Sequence, residues 1–337
     1  MFDFIYIEEA VLQYARTREI LARFPNATHI PCQRYGEVFN RKAQDFRLQK
    51  QKPALILARK HGNLLLEAPP GYGIGSQRNF YFSHMLNCLY DCRYCFLQGM
   101  YRSAHMVVFV NFEDFQDALA KEIVQANDDT PYFFTGYDCD SLALESITNF
   151  VASFMDFFAA HPQAFFELRT KSVNIKPLLH HPPLPNCIAA FSMTPSDIAK
   201  VLEVGVPPVD SRLDAMAKLQ TLGWPVGLRF DPLIYQSNYR DHYRALFAAV
   251  FARLDPDQLH SVSLGQFRLP RQIYKTMYQL MPDEKLLAYG LDEKAGMVSY
   301  KSDLALEMHT FCSEELLRYI SPQIFFPCPS TTLESPS

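Results

Sequence analysis

From Arg78 onward the chain alternates short apolar runs with longer amphipathic stretches. The runs Asn79–Ser83 (NFYFS), Met106–Asn111 (MVVFVN), Pro131–Thr135 (PYFFT), Ala164–Thr170 (AFFELRT), Cys187–Met193 (CIAAFSM) and Pro225–Asp231 (PVGLRFD) have the length and composition of buried strands. Ser261–Gln266 predicts a further strand. Between them, Phe112–Ala126, Leu142–Ala160, Val209–Leu222 and Tyr239–Leu254 repeat apolar residues at helical spacing. A short helix is expected near Ile175–Leu179 and another at Arg271–Met281. Strand–helix alternation of this kind builds right-handed βα units on a parallel sheet. Six or seven such units curl toward a partial barrel, and barrels place their chemistry at the C-terminal ends of the strands. Cys139, Lys171, Ser192 and Arg229 all fall at or just after such ends.

The pattern before residue 78 is different. Glu8 to Phe24 carries helical periodicity (Val11, Leu12, Ala15, Ile20, Leu21), and Pro25 closes it. Ala54–Ala58 and Asn63–Ala68 read as two strands around a His61-Gly62 turn. Pro69–Ser76 (PPGYGIGS) is glycine-rich but lacks the dinucleotide-binding spacing, so it is expected to be a connecting loop. The fold expected is α/β: an α+β extension over residues 1–77, a TIM-like partial (β/α)6 barrel over 78–283, and a small C-terminal region over 284–326. The segment 327–337 (PCPSTTLESPS) has too few apolar residues to pack and is expected to be disordered.

Composition narrows the setting. The 337 residues include no apolar run approaching a membrane span, so no membrane partner is expected. The N-terminus lacks a charged-then-apolar leader pattern, which points to the cytoplasm. A net charge of −4 argues against bulk electrostatic capture of nucleic acid. Any such contact needs a local patch. Arg41, Lys42, Arg47, Lys50, Lys52, Arg59 and Lys60, against Asp45 alone, form one candidate; the other reading is a solvated basic face. Eight cysteines, three clustered and five scattered, do not make a disulfide framework in a chain of this length.

The three clustered cysteines, Cys88, Cys92 and Cys95, stand in a C-x3-C-x2-C arrangement (CLYDCRYC) with no fourth cysteine nearby. A structural zinc site or an electron-transfer cluster takes four ligands. Three thiolates on a four-iron four-sulfur cluster leave one iron open. This spacing, with an aromatic just before the last cysteine, resembles the signature of radical S-adenosylmethionine (SAM) enzymes, in which SAM chelates the open iron and yields a 5′-deoxyadenosyl radical.

The resemblance extends further. CLYDCRYCFLQGMYRSAHMVVFVNFEDF, FFTGYDCDSLALESIT, ELRTKS, AFSM, PVDSRLDAMAKLQTLGWPVG and the C-terminal FFP are similar, in order and separation, to the spore photoproduct lyase family. That family implies a partial barrel of six βα units, a smaller C-terminal region and a β-hairpin that meets DNA. It also implies repair of a methylene-bridged thymine dimer to two thymines, with electrons from a reductase or a flavodoxin- or ferredoxin-type donor. Two alternatives stay open: a related enzyme acting on another nucleotide or a peptide, and a non-catalytic iron–sulfur protein that binds nucleic acid.

Carried onto this sequence, the resemblance makes Cys139 the hydrogen-atom donor, a role suited to a neutral, protected thiol; a buried structural cysteine is the alternative. Tyr94 would lay its ring near the adenine, or pack in the core. Lys171 would face the SAM carboxylate or ribose, and Ser192 would hydrogen-bond SAM. Gly136 would form the turn that takes the SAM amine, and Ser141 would line the same pocket. The plainer roles are a surface charge, a core hydroxyl, a turn former and a helix cap. Two positions depart from the family. Phe96 stands where a second tyrosine is expected, so Tyr137 or Tyr101 substitutes for it or SAM is consumed at each turnover. Arg229 and Asp231 place charge at a barrel strand end where the better-known lyases of the family are more apolar. They either meet a more polar substrate or form a buried structural pair.

Overall fold

The computed structural model describes residues 2–69, 72–127, 129–288 and 290–328. Six parallel strands line up in chain order: Asn79–Tyr81, Tyr132–Thr135, Phe165–Thr170, Cys187–Ser192, Val226–Leu233 and Leu259–Gln266. These are barrel strands one to six. Phe325–Pro327 adds a seventh parallel strand beyond the sixth, and Leu66–Glu67 pairs antiparallel with the first. The sheet curls as a half-barrel.

Side chains alternate across it, as strand geometry requires. Phe133, Phe166, Leu168, Ala189, Phe191, Leu228 and Phe230 point outward into the main core, against helices that supply Phe150, Phe154, Phe158, Leu213, Met216 and Phe247. Tyr132, Phe134, Ile188 and Ala190 point inward and form a second, smaller cluster. Phe82 stacks among Phe115, Phe154 and Phe166, which explains much of the aromatic content of this half of the chain.

The N-terminal unit is a sheet rather than a helix with a hairpin. Its order is Thr28–Cys32, Phe4–Glu8, Leu55–Ala58, Met106–Phe109, Met85–Leu86, with the first four strands parallel. The helix expected over Glu8–Phe24 shortens to Ala15–Ala22, after a single 3-10 turn at Glu9–Val11. The preceding FIYIE has period two, and Ile5 and Ile7 are buried, so those residues pair as a strand. The strand expected over Asn63–Ala68 shrinks to Leu66–Glu67.

One placement corrects the expected barrel. Met106–Phe109 pairs with Leu55–Ala58 and Met85–Leu86, so it belongs to the N-terminal sheet and not to the barrel. A fully buried apolar run satisfies either sheet, and periodicity alone does not choose between them. The helix expected over Leu142–Ala160 breaks at Asn149, whose φ of 49° ends Glu145–Thr148 and starts Phe150–Ala159.

The C-terminal region contains an antiparallel sheet of Arg268–Pro270, Leu291–Lys294 and Met297–Tyr300. Its hairpin turns on Ala295-Gly296, both at positive φ, as a two-residue loop demands. The helix Ser302–Leu316 then packs against the helix Tyr239–Phe251 and the sixth barrel strand. The expected disordered tail starts too early by two residues. Pro327 lies in the seventh strand, and the Cys328 N–H donates to the Leu264 carbonyl at 2.8 Å. Residues 329–337 lie outside the described residues. Among the described residues no helix is long and apolar enough to cross a membrane.

Candidate active site

The thiol-bearing loop leaves the N-terminal sheet at Met85–Leu86 and returns to it at Met106. Asn87, at positive φ, closes its base: the side-chain amide donates to the carbonyls of Ser103 and His105, both at 2.7 Å. The helix Phe46–Gln51 clamps it from outside. Lys50 Nζ donates to the carbonyls of Cys88 (2.6 Å) and Tyr90 (2.9 Å), and Arg47 grips both oxygens of Asp91 at 2.9 Å. On the other side, Asp91-Cys92 pairs antiparallel with Glu203-Val204. Of the seven cations in segment 41–60, Arg47 and Lys50 are therefore committed to this loop and Arg59 pairs with Asp114 at 2.9 Å, while Arg41, Lys42 and Lys52 stay exposed.

Cys88, Cys92 and Cys95 line one cavity of about 350 Å³, together with Tyr94, Gly136, Cys139, Lys171 and Ser192. The sequence-derived site residues are thus brought together, with one exception. Ser141 is not in the lining; its Oγ lies 2.8 Å from Thr135 Oγ1 and braces the end of the second strand. No helix starts there for it to cap.

The lining fits a thiolate cluster. Among the described residues no three Cys, His, Asp or Glu side chains converge closely enough to share a single ion. A multi-iron cluster instead needs thiols spread along a chamber wall, and cations to balance their charge. Burial pushes Cys92 and Cys95 up, while Lys171 pulls both down and Lys50 pulls down Cys88 and Cys95. Burial pulls the Lys171 ammonium down, but Cys92, Glu203 and Cys95 outweigh it, so it stays charged. Its Nζ stands 5.6 Å from the centre of the Tyr94 ring.

Gly136 follows the second strand at φ +84°. A Cβ there would meet the Arg169 carbonyl at 2.6 Å and Ser141 Oγ at 2.9 Å, so only glycine lets the turn lie against the third strand. The Cys139 thiol is 5 % exposed. Burial, reinforced by Cys88, Asp138 and Asp140, holds it far above the ordinary thiol range, so it remains S–H.

Several site residues carry no signal in the sequence beyond being charges in apolar surroundings. Asp140 gathers the Lys171 N–H (2.6 Å), Thr170 Oγ1 (2.7 Å) and the N–H groups of Leu142 and Ala143, which locks the Cys139 turn to Lys171. Under the thiols, the Tyr94 hydroxyl donates to Glu203. Arg212 donates to Glu203 at 2.5 Å and to the Ser192 carbonyl at 2.9 Å. This buried chain ties the loop that holds Cys92 and Cys95 to the fourth strand.

The two charged departures separate. Arg229 is wholly buried inside the barrel and does not reach the cavity; it pairs with Glu167 through Nη2 at 2.6 Å and Nε at 3.2 Å. It is the structural pair. Asp231 does line the cavity. Of the two phenols that could replace the missing tyrosine, Tyr137 lines the cavity with its ring centre 5.2 Å from that of Phe96. Tyr101 instead donates to Asp138 at 3.3 Å and lies outside the lining. His84 stacks on Phe150 at 3.6 Å and Trp224 is 2 % exposed, both as core residues.

The model of the family described as spore photoproduct lyase matches residues 78–301. The chain belongs to that family. It is 24 % identical over 210 residues to the spore photoproduct lyase of Bacillus subtilis, a match covering 61 % of this chain and 60 % of the relative. With the spore photoproduct lyase of Clostridium acetobutylicum it shares 20 % identity over 294 residues, 85 % of this chain and 84 % of that protein. The chain thus spans less than two thirds of the first of these relatives. In fold it is similar to a solved spore photoproduct lyase variant with bound AdoMet and dinucleoside spore photoproduct, at a TM-score of 0.85 and 18 % identity over 98 % of this chain and 99 % of that one. A second, complexed with dinucleoside spore photoproduct, gives a TM-score of 0.81 at 18 % identity, over 96 % of this chain and 98 % of that one. The half-barrel is therefore that of spore photoproduct lyase, built on the radical SAM plan.

Proposed function

We propose that this protein is a radical SAM lyase that restores two thymines from the methylene-bridged thymine pair of ultraviolet-damaged DNA. The observation that carries the reading is a buried thiol, Cys139, in the same cavity as the Cys88, Cys92 and Cys95 trio. Cys88, Cys92 and Cys95 would hold a four-iron four-sulfur cluster, and Lys171, Ser192, Gly136 and Tyr94 would hold SAM beside it. Bound together, cluster and SAM would supply 5′-deoxyadenosyl radical chemistry for hydrogen-atom abstraction.

This chain's residues do the rest. The buried Tyr94–Glu203–Arg212 chain keeps the thiol loop in register with the SAM-binding strand end. Asp140 fixes Lys171 and Cys139 relative to one another. Once the bridging carbon–carbon bond has opened, Cys139 gives its hydrogen to the thymine-centred radical: S–H breaks, C–H forms, and the unpaired electron is left on sulfur. A thiolate could not do this, and burial keeps the group a thiol. The relatives solved with AdoMet and with dinucleoside spore photoproduct support the cofactor and the DNA-lesion substrate. Reducing electrons would come from a flavodoxin- or ferredoxin-type protein or a reductase.

The test is anaerobic reconstitution, reduction with dithionite, and incubation with SAM and an oligonucleotide carrying the lesion. 5′-Deoxyadenosine and repaired thymine should rise together. Deoxyadenosine release without thymine recovery would remove the repair assignment. Cys139→Ala should still cleave SAM but divert the thymine radical to other products, such as sulfite adducts from dithionite. Clean repair by that variant at the wild-type rate would exclude Cys139 as donor.

A further inference from the structure

The cavity has a thiol end and a charged end. At the charged end Asp231, in the fifth barrel strand, lines the wall and is partly buried. Among the described residues no hydrogen bond or ion pair ends on its carboxylate. Of the two arginines that share this wall with it, Arg169 and Arg268, Arg169 is held by Glu167 at 3.2 Å. The neighbouring strand is shaped around the carboxylate: a Cβ at Gly265 would stand 2.6 Å from Asp231 Cγ. The Phe96 and Tyr137 rings form an aromatic wall of the same cavity.

A half-desolvated carboxylate with no donor is costly, and the cost is relieved by an occupant that supplies one. Carboxylates only accept. Beside an aromatic wall, the matching group is an N–H on the edge of a planar base, the kind of contact by which Asp and Glu read an amino group in DNA. We infer that Asp231 accepts a hydrogen bond from an edge N–H of the pyrimidine lesion and selects lesions that carry a hydrogen there. In the thymine pair that group is a ring imide N–H. The inference rests on the repair reading and adds to it a specificity-determining residue.

The test is equilibrium binding to the reconstituted, SAM-bound protein in its oxidised state, where no turnover occurs. The ligands are dinucleoside spore photoproduct and the same molecule N-methylated at each imide nitrogen in turn. Wild type should prefer the unmethylated ligand over one of the methylated forms by about tenfold to a hundredfold, the usual worth of a hydrogen bond to a charged group. Asp231→Ala should lose most of that affinity while binding the methylated form as well as wild type or better, so that the preference falls to about onefold. A gain for the methylated ligand cannot arise from misfolding. Asp231→Asn keeps an acceptor oxygen and should retain part of the preference. An alanine variant with the wild-type preference, or a wild type indifferent to methylation, would overturn this inference and leave the repair reading standing. A wild type that binds neither ligand would overturn both.

Discussion

Removing the Arg229 guanidinium should destabilise this protein more than any substitution at its surface. Both side chains of the Arg229–Glu167 pair are fully buried. Arg229 makes two bonds to Glu167, one each to the Leu228 and Ser261 carbonyls (2.9 and 3.1 Å), and one to Ser261 Oγ (2.9 Å). These bonds span the third, fifth and sixth strands. Arg229→Met leaves the Glu167 carboxylate with Arg169 Nε as its remaining cation and strips donors from two buried carbonyls. Breaking one side of such a pair costs about 3–5 kcal/mol, whereas replacing both partners with apolar residues costs less. The melting midpoint of the reconstituted protein should therefore fall by about 5–15 °C in Arg229→Met. Arg229→Met combined with Glu167→Leu should recover part of the loss. The pH dependence adds a check. Burial would raise the Glu167 pKa, but Arg229 and Arg169 together hold it below 4.5. A depressed folded-state pKa contributes stability that is present above the unfolded value and lost as pH falls through the folded one. The gap between wild type and Glu167→Gln should accordingly narrow below about pH 4.5. A midpoint drop under about 2 °C for Arg229→Met, or strictly additive single and double substitutions, would refute this account.

Two further outcomes are expected. Gly136→Ala forces a side chain into a positive-φ turn, at a cost of about 1–2 kcal/mol, and drives it against the Arg169 carbonyl. SAM affinity measured by equilibrium dialysis should fall by tenfold or more, on the order of one further kcal/mol at the turn; wild-type affinity would mean the turn does not touch SAM. Glu145 is 1 % exposed, and burial raises its pKa to about 7, only partly offset by the N–H groups of Val151, Ala152 and Phe150. Its proton is held more tightly in the folded state, so stability should decline as pH rises from about 4.5 to about 7, by up to about 3 kcal/mol. Glu145→Gln should flatten that decline in melting curves, and an unchanged slope would show the group to be hydrated.

The strands of the barrel were legible because buried parallel strands are short apolar runs bounded by turns, and Phe165–Thr170 and Cys187–Ser192 fall within the expected runs. The fate of Met106–Phe109 was not, because strand pairing is a tertiary choice between two sheets that offer the same apolar environment. FIYIE at Phe4–Glu8 was hidden by the helical pattern that follows it. Within the site, the three clustered cysteines are declared by their spacing, whereas Cys139, Lys171 and Ser192, though they sit at strand ends, were singled out by resemblance to the family. Glu203 and Arg212 were invisible for a different reason. Arg212 reads as an ordinary charge on the surface of the helix expected over Val209–Leu222, Glu203 as a charge outside any expected element, and only the pairing of Glu203-Val204 with the thiol loop turns them into a buried pair. Asp231 and Arg229 lie two residues apart on one strand and point to the same side, yet one reaches the cavity and the other an ion pair deeper in the barrel. Depth along the barrel axis is not written in alternation.

The loop that carries Cys88, Cys92 and Cys95 is stitched at both ends into the amino-terminal sheet, while Cys139, Lys171 and Ser192 ride on the barrel. The reactive chamber is thus a joint product of two bodies and belongs to neither. Deleting the front of the chain as a dispensable appendage would remove Leu55–Ala58, the strand to which the returning loop is sewn, and Lys50, its outer clasp. Neither half can be swapped for a homologous module without re-registering the thiols against the strand ends.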